Sequence, residues 1–465
     1  MTSGGAKPGE EPHGANPDRA ADASGLAALR ADIDACMRCG NCQAVCPVYH
    51  QVRREPAVAR GKVVIAQALL NGEIEPDEEV ARQLDLCLTC TACVDACPSG
   101  IRLDDIILAA RAEVVRRRGV SAGASAVFAA VKRPRLLKAG AAAAAKLQGL
   151  AFAAGPEDGL GVARLPLSRE RRPVLPRLPG RPLGPADGSA GRAPQARGRV
   201  VFYPGCMITY VYPEIGRALV GALSTVQVKV VLPPQNSCCG VPMLMHGDEL
   251  SARDLARATV QALGSLDGEA VLTACPTCGS ALKHFIPKLL AGDPVWGPRA
   301  QQLAARALDA TEYLAERVDL PAATASASAS AGTRVTYHDP CHLARGQGVR
   351  AQPRELISRV AGLELAELAS AEVCCGGAGS FLLTHPALAD KIGARKAAEI
   401  DATGAEVVVT SCPGCRMQLT DSLRRRGRRQ RVCHTVEIVA EALAAQGRAA
   451  AAAQAAEAAI PRQTA

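Results

Sequence analysis

Two hydrophobic patterns divide the chain. Up to about residue 120, apolar residues recur at helical spacing, whereas from Arg199 onward short β-branched runs alternate with helical segments. The first pattern predicts helices over 24–36, Arg60–Leu70 (ended by Asn71-Gly72), Asp77–Leu86 and Leu103–Arg118. The second pattern is typical of α/β structure. We therefore expect an α+β multidomain chain whose N-terminal part is mainly helical.

The α/β region contains two similar units. The pattern predicts strands at Val200–Tyr203, Val226–Leu232 and Ala270–Thr273 in the first unit, and at Arg334–Tyr337, Val373 and Glu406–Thr410 in the second. A cysteine motif follows each of them: Cys206, Cys238-Cys239-Gly240 and Cys275-Pro276-Thr277-Cys278, then Cys341, Cys374-Cys375-Gly376 and Cys412-Pro413-Gly414-Cys415. The motifs recur at offsets of 135, 136 and 137 residues, which predicts one duplicated domain.

Composition narrows the class of protein. The 465 residues include 3% aromatic residues, so the cores must be mainly aliphatic. No stretch reaches the roughly 18 apolar residues of a membrane span, and the first residues lack the charge and apolar run of a signal peptide. We therefore expect a cytoplasmic protein whose 19 cysteines serve metal rather than disulfides.

Positive charge is concentrated in one segment. The net charge is +9, yet residues 111–200 alone hold 18 Lys or Arg against 5 Asp or Glu. Pro166–Pro194 carries seven prolines and predicts an irregular linker. The segment either docks on a partner or on anionic lipid headgroups, or is simply a solvated linker. No nucleic-acid-binding pattern accompanies it, so we expect no nucleic-acid partner.

The helical part carries one cysteine spacing twice. The spacing is C-x2-C-x2-C-x3-C-P, at Cys36–Pro47 and at Cys87–Pro98. This is the ligand run of a two-cluster bacterial ferredoxin, in which the fourth cysteine of each run serves the other cluster. We predict two 4Fe-4S sites, one held by Cys36, Cys39, Cys42 and Cys97, the other by Cys46, Cys87, Cys90 and Cys93. Structural zinc is the alternative, but zinc does not explain the repeated x3-C-P tail.

Each α/β unit has five cysteines after its predicted strands. Open α/β sheets place their ligand crevices at this edge. A vicinal pair with three further thiols suits a multinuclear metal centre, and Gly240 and Gly376 are expected to let the backbone pass close to it. Buried free cysteines or a single zinc ion per unit are the alternatives.

The chain resembles the iron-sulfur subunit of bacterial glycolate oxidase. The resemblance rests on the two cysteine runs, on Arg60-Gly61 between them, on Cys97–Gly100, and on the order of the parts from about Ala31 to Leu443. The C-C-G units are also similar to those of heterodisulfide reductase and of the third subunit of anaerobic glycerol-3-phosphate dehydrogenase. In heterodisulfide reductase such sets bind non-cubane 4Fe-4S clusters, which implies this role for Cys206, Cys238, Cys239, Cys275, Cys278, Cys341, Cys374, Cys375, Cys412 and Cys415.

The resemblance implies an electron-transfer subunit of a flavin-dependent 2-hydroxyacid dehydrogenase that acts on glycolate or D-lactate. No G-x-G-x-x-G opens a helix after a predicted strand, so the flavin is expected on a partner subunit. The expected acceptor is a quinone or a soluble molecule, with possible membrane contact through the basic segment. No catalytic residue is expected on this chain.

Two other functions stay open. Glycolate oxidase subunits often lack one cysteine of the final C-x2-C, whereas both pairs are complete here. This favours cluster binding like that of heterodisulfide reductase, and it leaves the substrate open. One alternative function is therefore a heterodisulfide-reductase-like subunit in which the C-C-G clusters are catalytic. A zinc-stabilised scaffold without activity is the other alternative.

These patterns predict the domain boundaries. We expect a disordered tail at 1–23, a ferredoxin domain at 24–120, a basic connector at 121–198 that is first helical and then proline-rich, cysteine-rich units at 199–321 and 333–446 joined by a linker at 322–332, and an alanine-rich tail at 447–465. His338 and His342 flank Cys341 and either tune a cluster through hydrogen bonds or cap a loop. Cys433 has Leu308 as its counterpart in the first unit and is expected to be structural.

Overall fold

The computed structural model describes residues 25–458 except 156, 158, 166–171, 189–195, 236, 321–331, 378 and 380. The expected tail at 1–23, nearly all of the expected linker and residues 459–465 therefore lie outside the described residues. The N-terminal part contains α1 (Arg30–Asp34), α2 (Asn41–Val45), α3 (Pro47–Val52), α4 (Ala59–Asn71), α5 (Glu78–Asp85), α6 (Ala92–Asp95) and α7 (Leu103–Arg118), with short 3-10 turns at Leu26–Leu29 and Glu55–Ala57.

Local signals set the limits of these helices. Helix α4 ends where Gly72 takes a φ of +70°, and Asp77 begins α5 by accepting the backbone N–H of Val80 at 2.8 Å. Helices α4 and α7 pack on each other, with Ala66 and Ile106 fully buried between them. The predicted helical N-terminal part is confirmed.

The connector has more regular structure than its prolines predicted. It contains α8 (Ala122–Val131), α9 (Pro134–Ala151) and an antiparallel sheet of β1 (Phe152–Ala154), β2 (Leu160–Ala163) and β3 (Val174–Pro176), then a 3-10 turn at Pro185–Asp187. Helices α8 and α9 lie in the part expected to be helical. The expectation of an irregular linker over Pro166–Pro194 is wrong at β3, because Val174 is buried and donates its N–H to Asp421 at 2.7 Å. Proline fits β3 because this strand lies at the sheet edge.

The first cysteine-rich unit alternates strands and helices. It comprises β4 (Gly198–Phe202), α10 (Gly205–Tyr210), α11 (Pro213–Thr225), β5 (Val228–Val231), α12 (Val241–Met245), α13 (Glu249–Gly264), β6 (Ala270–Thr273), α14 (Pro276–Ser280), a π-helical turn at Ala281–Phe285, α15 (Ile286–Leu289), α16 (Trp296–Arg306), β7 (Ala307–Asp309) and α17 (Ala310–Glu316). The three predicted strands are present, and β7 is a fourth that the pattern did not predict.

The second unit repeats this plan. It comprises β8 (Thr333–His338), α18 (Cys341–Ala344), α19 (Ala351–Ser358), β9 (Leu363–Leu365), α20 (Phe381–Thr384), α21 (Pro386–Thr403), β10 (Val407–Thr410), α22 (Pro413–Arg424), β11 (Arg431–His434) and α23 (Thr435–Ala458). The prediction of a strand at Val373 is wrong, because Val373 lies in a loop. The second strand of this unit is β9, where Leu363 pairs with Thr333.

Both units contain the same four-stranded parallel sheet. The strand orders are β5-β4-β6-β7 and β9-β8-β10-β11. In each unit the first strand lies between the second and the third. The sheet therefore grows to one side of the first strand and then to the other side. Such a switch point opens a crevice at the carboxyl ends of the strands, and the cysteine motifs follow those ends.

The two units pack tightly on each other. Helix α23 of the second unit lies along α11 of the first, and Val436, Val439 and Leu443 belong to the hydrophobic core of the first unit. His434 also approaches the first unit, with its Nε2 3.0 Å from the carbonyl oxygen of Ala274. The duplicated domain therefore forms one packed body.

The N-terminal helical part docks on both units. Arg111 donates to the carbonyl oxygen of Met245 at 2.8 Å in the first unit. On the second unit, α3 contacts α21, and the ring of His342 lies 3.1 Å from the carbonyl oxygen of Thr89. None of the helices that the structure describes combines the length and apolarity needed to cross a bilayer.

Candidate metal centres

The first ferredoxin site is defined by Cys36, Cys39, Cys42 and Cys97. These four residues line one surface pocket together with Pro98 and Arg60. The loop before α2 turns through left-handed backbone at Arg38 and Gly40, which folds its cysteines around this pocket. The structure therefore brings the fourth cysteine of the second run to the first three of the first run, as the spacing predicts.

The second ferredoxin site is defined by Cys46, Cys87, Cys90 and Cys93. Burial raises the pKa of Cys93 well above its usual value, and the charges of the other three thiols raise it further. Cys46 caps the N-terminus of α3, where its sulfur lies 3.4 Å from the N–H of Tyr49. The left-handed residues Thr89 and Thr91 shape the loop between the other cysteines.

Three cations surround the second ferredoxin site. Lys62 is 1% exposed and donates to the carbonyl oxygen of Pro56 at 2.6 Å, and burial lowers its pKa to about 8. Arg111 donates to the carbonyl oxygen of Cys87 at 3.0 Å, and Arg345 donates to that of Cys90 at 3.4 Å. The cysteine spacing gave no signal for these residues, because they come from three distant segments.

The unit-one site and the unit-two site are the two sets of five cysteines. In the first unit the sulfurs form a chain of neighbours in the order Cys206, Cys238, Cys239, Cys278, Cys275. In the second unit the order is Cys341, Cys374, Cys375, Cys415, Cys412. Corresponding cysteines thus occupy corresponding places in the two units.

Loops after the strands position these cysteines. Cys206 follows β4 in α10, and Cys275 follows β6 directly and caps α14. Gly240 and Gly376 take φ values of +81° and +89°, a conformation that side chains disfavour. A Cβ there would lie 3.2 Å from the backbone oxygens of Ala252 and Ala389, so the glycines permit a tight turn against a helix.

The thiols of each unit cannot all ionise in a buried site without a compensating cation. Hydrogen bonds from Cys238 and Cys278 lower the pKa of Cys239 to about 6. In the second unit, hydrogen bonds from Cys341 and Cys375 lower the pKa of Cys374 well below its usual value. A hydrogen bond from Cys415 lowers the pKa of Cys412 as well. Each unit therefore contains at least one thiol of lowered pKa among buried thiols, a donor set that fits a sulfur-ligated iron core.

The second ferredoxin site adjoins the unit-two site. Cys46, Cys90 and Cys341 pack against the same hydrophobic cluster, which contains Cys374. A charge on Cys374 raises the pKa of Cys90, after burial the largest influence on that thiol. His342 bridges the two sites and the first unit, since its Nδ1 lies 3.2 Å from Thr277 Oγ1 while Nε2 faces Thr89. Sequence spacing did not reveal this contact between domains.

The remaining singled-out residues occupy different environments. His338 is 1% exposed beside the unit-two site, and burial lowers its pKa to about 3, so the ring is neutral near pH 7. Cys433 lies on β11 in the hydrophobic core, where its sulfur is 3.9 Å from the carbonyl oxygen of Val408. Its position agrees with a structural role.

Two family models match the chain. The 4Fe-4S dicluster domain matches residues 32–101, and the cysteine-rich domain matches residues 200–283 and 335–420. The two-cluster run and the duplicated cysteine-rich unit are thereby confirmed, and both matches support iron–sulfur clusters.

Named relatives cover between half and nine-tenths of the chain. A probable glycolate oxidase iron-sulfur subunit of Bacillus subtilis (strain 168) is 30% identical over 88% of this chain and 93% of its own length. The glycolate oxidase iron-sulfur subunit of Escherichia coli (strain K12) is 27% identical over 90% of this chain and 96% of its own length. Lactate utilization protein A of Geobacillus kaustophilus (strain HTA426) is 30% identical over 52% of this chain and 98% of its own length.

Proposed function

The chain belongs to the family of glycolate oxidase iron-sulfur subunits, and from this premise we propose that it carries electrons in a hydroxyacid dehydrogenase complex. The proposed donor is a flavoprotein subunit that oxidises glycolate or D-lactate. The observation that carries the proposal is the contact between the second ferredoxin site and the unit-two site. Electron transfer needs carriers that lie next to each other, whereas a metal site with a purely structural role needs no neighbouring metal site.

The eight ferredoxin cysteines and the ten cysteines of the two units would hold four metal centres. Cys36, Cys39, Cys42 and Cys97 would hold one 4Fe-4S cluster, and Cys46, Cys87, Cys90 and Cys93 the other. The five cysteines of each cysteine-rich unit would hold a further iron–sulfur centre. When bound, such centres supply one-electron redox chemistry at potentials set by net charge and hydrogen bonding.

The chain's own residues then determine the route. Arg345 ties the Cys90 loop to the second unit, since it also donates to the carbonyl oxygen of Glu372 at 2.8 Å. The hydrophobic cluster around Val48 and Phe381 packs against cysteines of both sites. These contacts hold the second ferredoxin site against the unit-two site.

The first ferredoxin site is suited to exchange electrons with another protein. Cys39 is exposed, and Met37 in the same loop is 66% exposed. Both residues line or adjoin the pocket of this site. A flavoprotein partner could therefore approach this cluster without rearrangement of the chain.

Helix α9 is a candidate surface for anionic lipid, which would bring the chain to a membrane quinone. Leu136, Leu147 and Leu150 are 50%, 60% and 78% exposed and lie on one face of this helix. Lys138 and Lys146 on the same helix are also exposed. Exposed apolar residues with cations favour an interfacial helix.

Lipid binding is testable with vesicles. The double variant Leu147→Ser/Leu150→Ser should lose co-sedimentation with phosphatidylserine vesicles, whereas Leu250→Ser, which removes a leucine 65% exposed on α13, should retain it. Equal binding by all three proteins would contradict the membrane contact. Equal binding to neutral vesicles would contradict the role of charge.

The electron-transfer function is tested in a reconstituted complex. The chain and a candidate flavoprotein subunit from the same organism are purified without oxygen, and reduction of a quinone analogue is measured with glycolate or D-lactate. Cys90→Ser should abolish acceptor reduction while the flavin is still reduced by substrate, and Cys433→Ser should keep it. The proposal fails if the flavoprotein reduces the acceptor equally well without this chain.

A second function is supported by the complete five-cysteine sets. If the unit-one and unit-two sites reduce a disulfide, the purified chain with a reduced electron donor should consume a disulfide substrate. Cys239→Ala or Cys375→Ala should then abolish that activity while the ferredoxin clusters stay intact. Disulfide consumption unaffected by both substitutions would rule this function out.

A further inference from the structure

His338 stands out among the buried polar residues. It is the last residue of β8 and is 1% exposed, yet neither ring nitrogen has a hydrogen-bond partner. Leaving such a group unsatisfied costs on the order of 1–3 kcal/mol. The carbonyl oxygen of Ala371 can serve one ring nitrogen only, so the other buried nitrogen indicates a missing partner.

The ring faces sulfur. A ring nitrogen of His338 and the sulfurs of Cys375 and Cys415 lie within 4.8 Å of one another. Among the described residues, this is the one group of three His, Cys, Asp or Glu side chains whose ligand atoms come this close together. Both cysteines belong to the unit-two site, and neutral imidazole is a common metal ligand.

The corresponding residue of the first unit behaves differently. Tyr203 ends the matching strand region, and its hydroxyl donates to the carbonyl oxygen of Ser237 at 2.8 Å. Tyr203 is therefore satisfied by protein alone, whereas His338 is not. The duplication has kept the five cysteines and changed the residue beside them.

The surroundings of His338 supply a second partner for the ring. The carbonyl oxygen of Ala371 lies near the imidazole, although it already accepts the N–H of Asp339 at 3.2 Å. A metal-bound histidine commonly turns its other N–H toward a backbone carbonyl. One nitrogen can thus face Ala371 while the other faces the cysteines.

We propose that His338 is a nitrogen ligand of the metal centre held by the unit-two cysteines. The inference rests on the proposed function, since it requires that this site binds metal. The unit-two centre then has mixed nitrogen and sulfur ligation, and the unit-one centre has sulfur ligation alone.

Nitrogen coupling in pulsed EPR tests the ligand directly. The full chain is produced with 15N-histidine, purified without oxygen and partly reduced, and its hyperfine spectra are compared with those of unlabelled protein. We expect a label-dependent coupling of the size of a direct iron–nitrogen bond. His338→Ala and His338→Cys should both remove it, while His338→Cys, which offers a thiolate instead, should retain the unit-two iron.

Matched controls assign the coupling. His342→Ala removes the neighbouring imidazole, and Tyr203→Phe changes the equivalent position of the first unit, so both should keep the coupling. A unit-two signal that shows no histidine coupling, or one only as weak as a hydrogen bond to sulfur gives, would overturn the ligand proposal alone. If Cys375→Ala removes no iron, the metal centre of the second unit is itself disproved.

Discussion

Lys62 is a buried cation beside the second ferredoxin site. It donates to the carbonyl oxygen of Pro56, and the charges that favour its protonated form come from Cys87 and Cys46. A buried ammonium is costly unless an anion compensates it. Thiolates carrying an iron–sulfur core provide that anion, so Lys62 is expected to stabilise the reduced, more negative state.

Lys62→Met should therefore lower the reduction potential of the second ferredoxin centre. A unit charge in this environment contributes about 1–2 kcal/mol, on the order of 50–100 mV for one electron. Redox titration followed by EPR measures the shift. Lys138→Met removes an exposed lysine and should leave the potential unchanged. A potential that is the same in the Lys62 variant would show that the ammonium does not act on the cluster.

Asp309 gives a prediction about pH. Burial raises its pKa to about 6, while its Oδ1 accepts the N–H and the hydroxyl of Thr311 and its Oδ2 has no partner. The folded state therefore binds this proton more tightly than the unfolded state, in which the pKa is about 4. Stability is lost when the carboxylate ionises and rises as the pH falls from about 6 to about 4.

Asp309→Asn keeps the oxygen that Thr311 uses and removes the charge. The variant should be more stable than wild type at pH 7.5, by up to about 3 kcal/mol, and the difference should shrink toward pH 4.5. Urea denaturation at both pH values measures it. A variant that is less stable than wild type at pH 7.5 would contradict the buried charge.

The sequence predicted the site residues that lie close together in the chain, and it missed those that only the fold brings together. The eight ferredoxin cysteines lie in two short runs with fixed spacing, so their grouping around two sites followed from the sequence. The cations did not follow from it, because Lys62, Arg111 and Arg345 reach one site from three different domains or helices. The sequence singled out His338 only by its position near Cys341. That its ring lies close to the sulfurs of Cys375 and Cys415 could be seen only in the folded chain.

At the scale of elements, one arginine joins the helices of the two units. Arg416 on α22 lies 3.1 Å from Glu214 of α11 and 3.1 Å from Glu437 of α23, and its guanidinium is 4.5 Å from the ring centre of Tyr212. Glu437 is 9% exposed, so its carboxylate depends on this cation.

Arg416→Met should destabilise the chain by about 3 kcal/mol, because it leaves a buried carboxylate without its partner. Arg359→Met breaks an exposed pair with Glu355 inside one helix and should cost less than about 0.5 kcal/mol. Guanidinium denaturation followed by circular dichroism compares the two variants. Similar losses in both would contradict the role of Arg416 in joining the units.

Element predictions succeeded where local signals were strong. Capping at Asp77 and Gly72 fixed two helix limits, and apolar runs found three strands in the first unit. The strand expected at Val373 was wrong because a single valine before the cysteines does not make a strand, whereas Leu363–Leu365 can pair with β8. The connector sheet was missed because its third strand gains stability from the buried contact between Val174 and Asp421.

At the scale of the whole molecule, the domains are arranged around the contacts between sites. The first ferredoxin site faces solvent, the second lies against the unit-two site, and α14 of the first unit contacts α18 of the second. His342 and Ser280 form part of this last contact, with Ser280 donating to the carbonyl oxygen of His342 at 2.9 Å. Under the proposed function, electrons that enter at the first ferredoxin site would pass to the second ferredoxin site and then to the second unit.

Iron and acid-labile sulfide per chain, measured after purification without oxygen, test the central claim that eighteen thiols hold four iron–sulfur centres. The account predicts about sixteen iron atoms, since each centre holds about four. Cys375→Ala should lower the count by about four, and Cys433→Ala should leave it unchanged. About eight iron atoms in the wild type, or zinc in place of iron, would contradict the account.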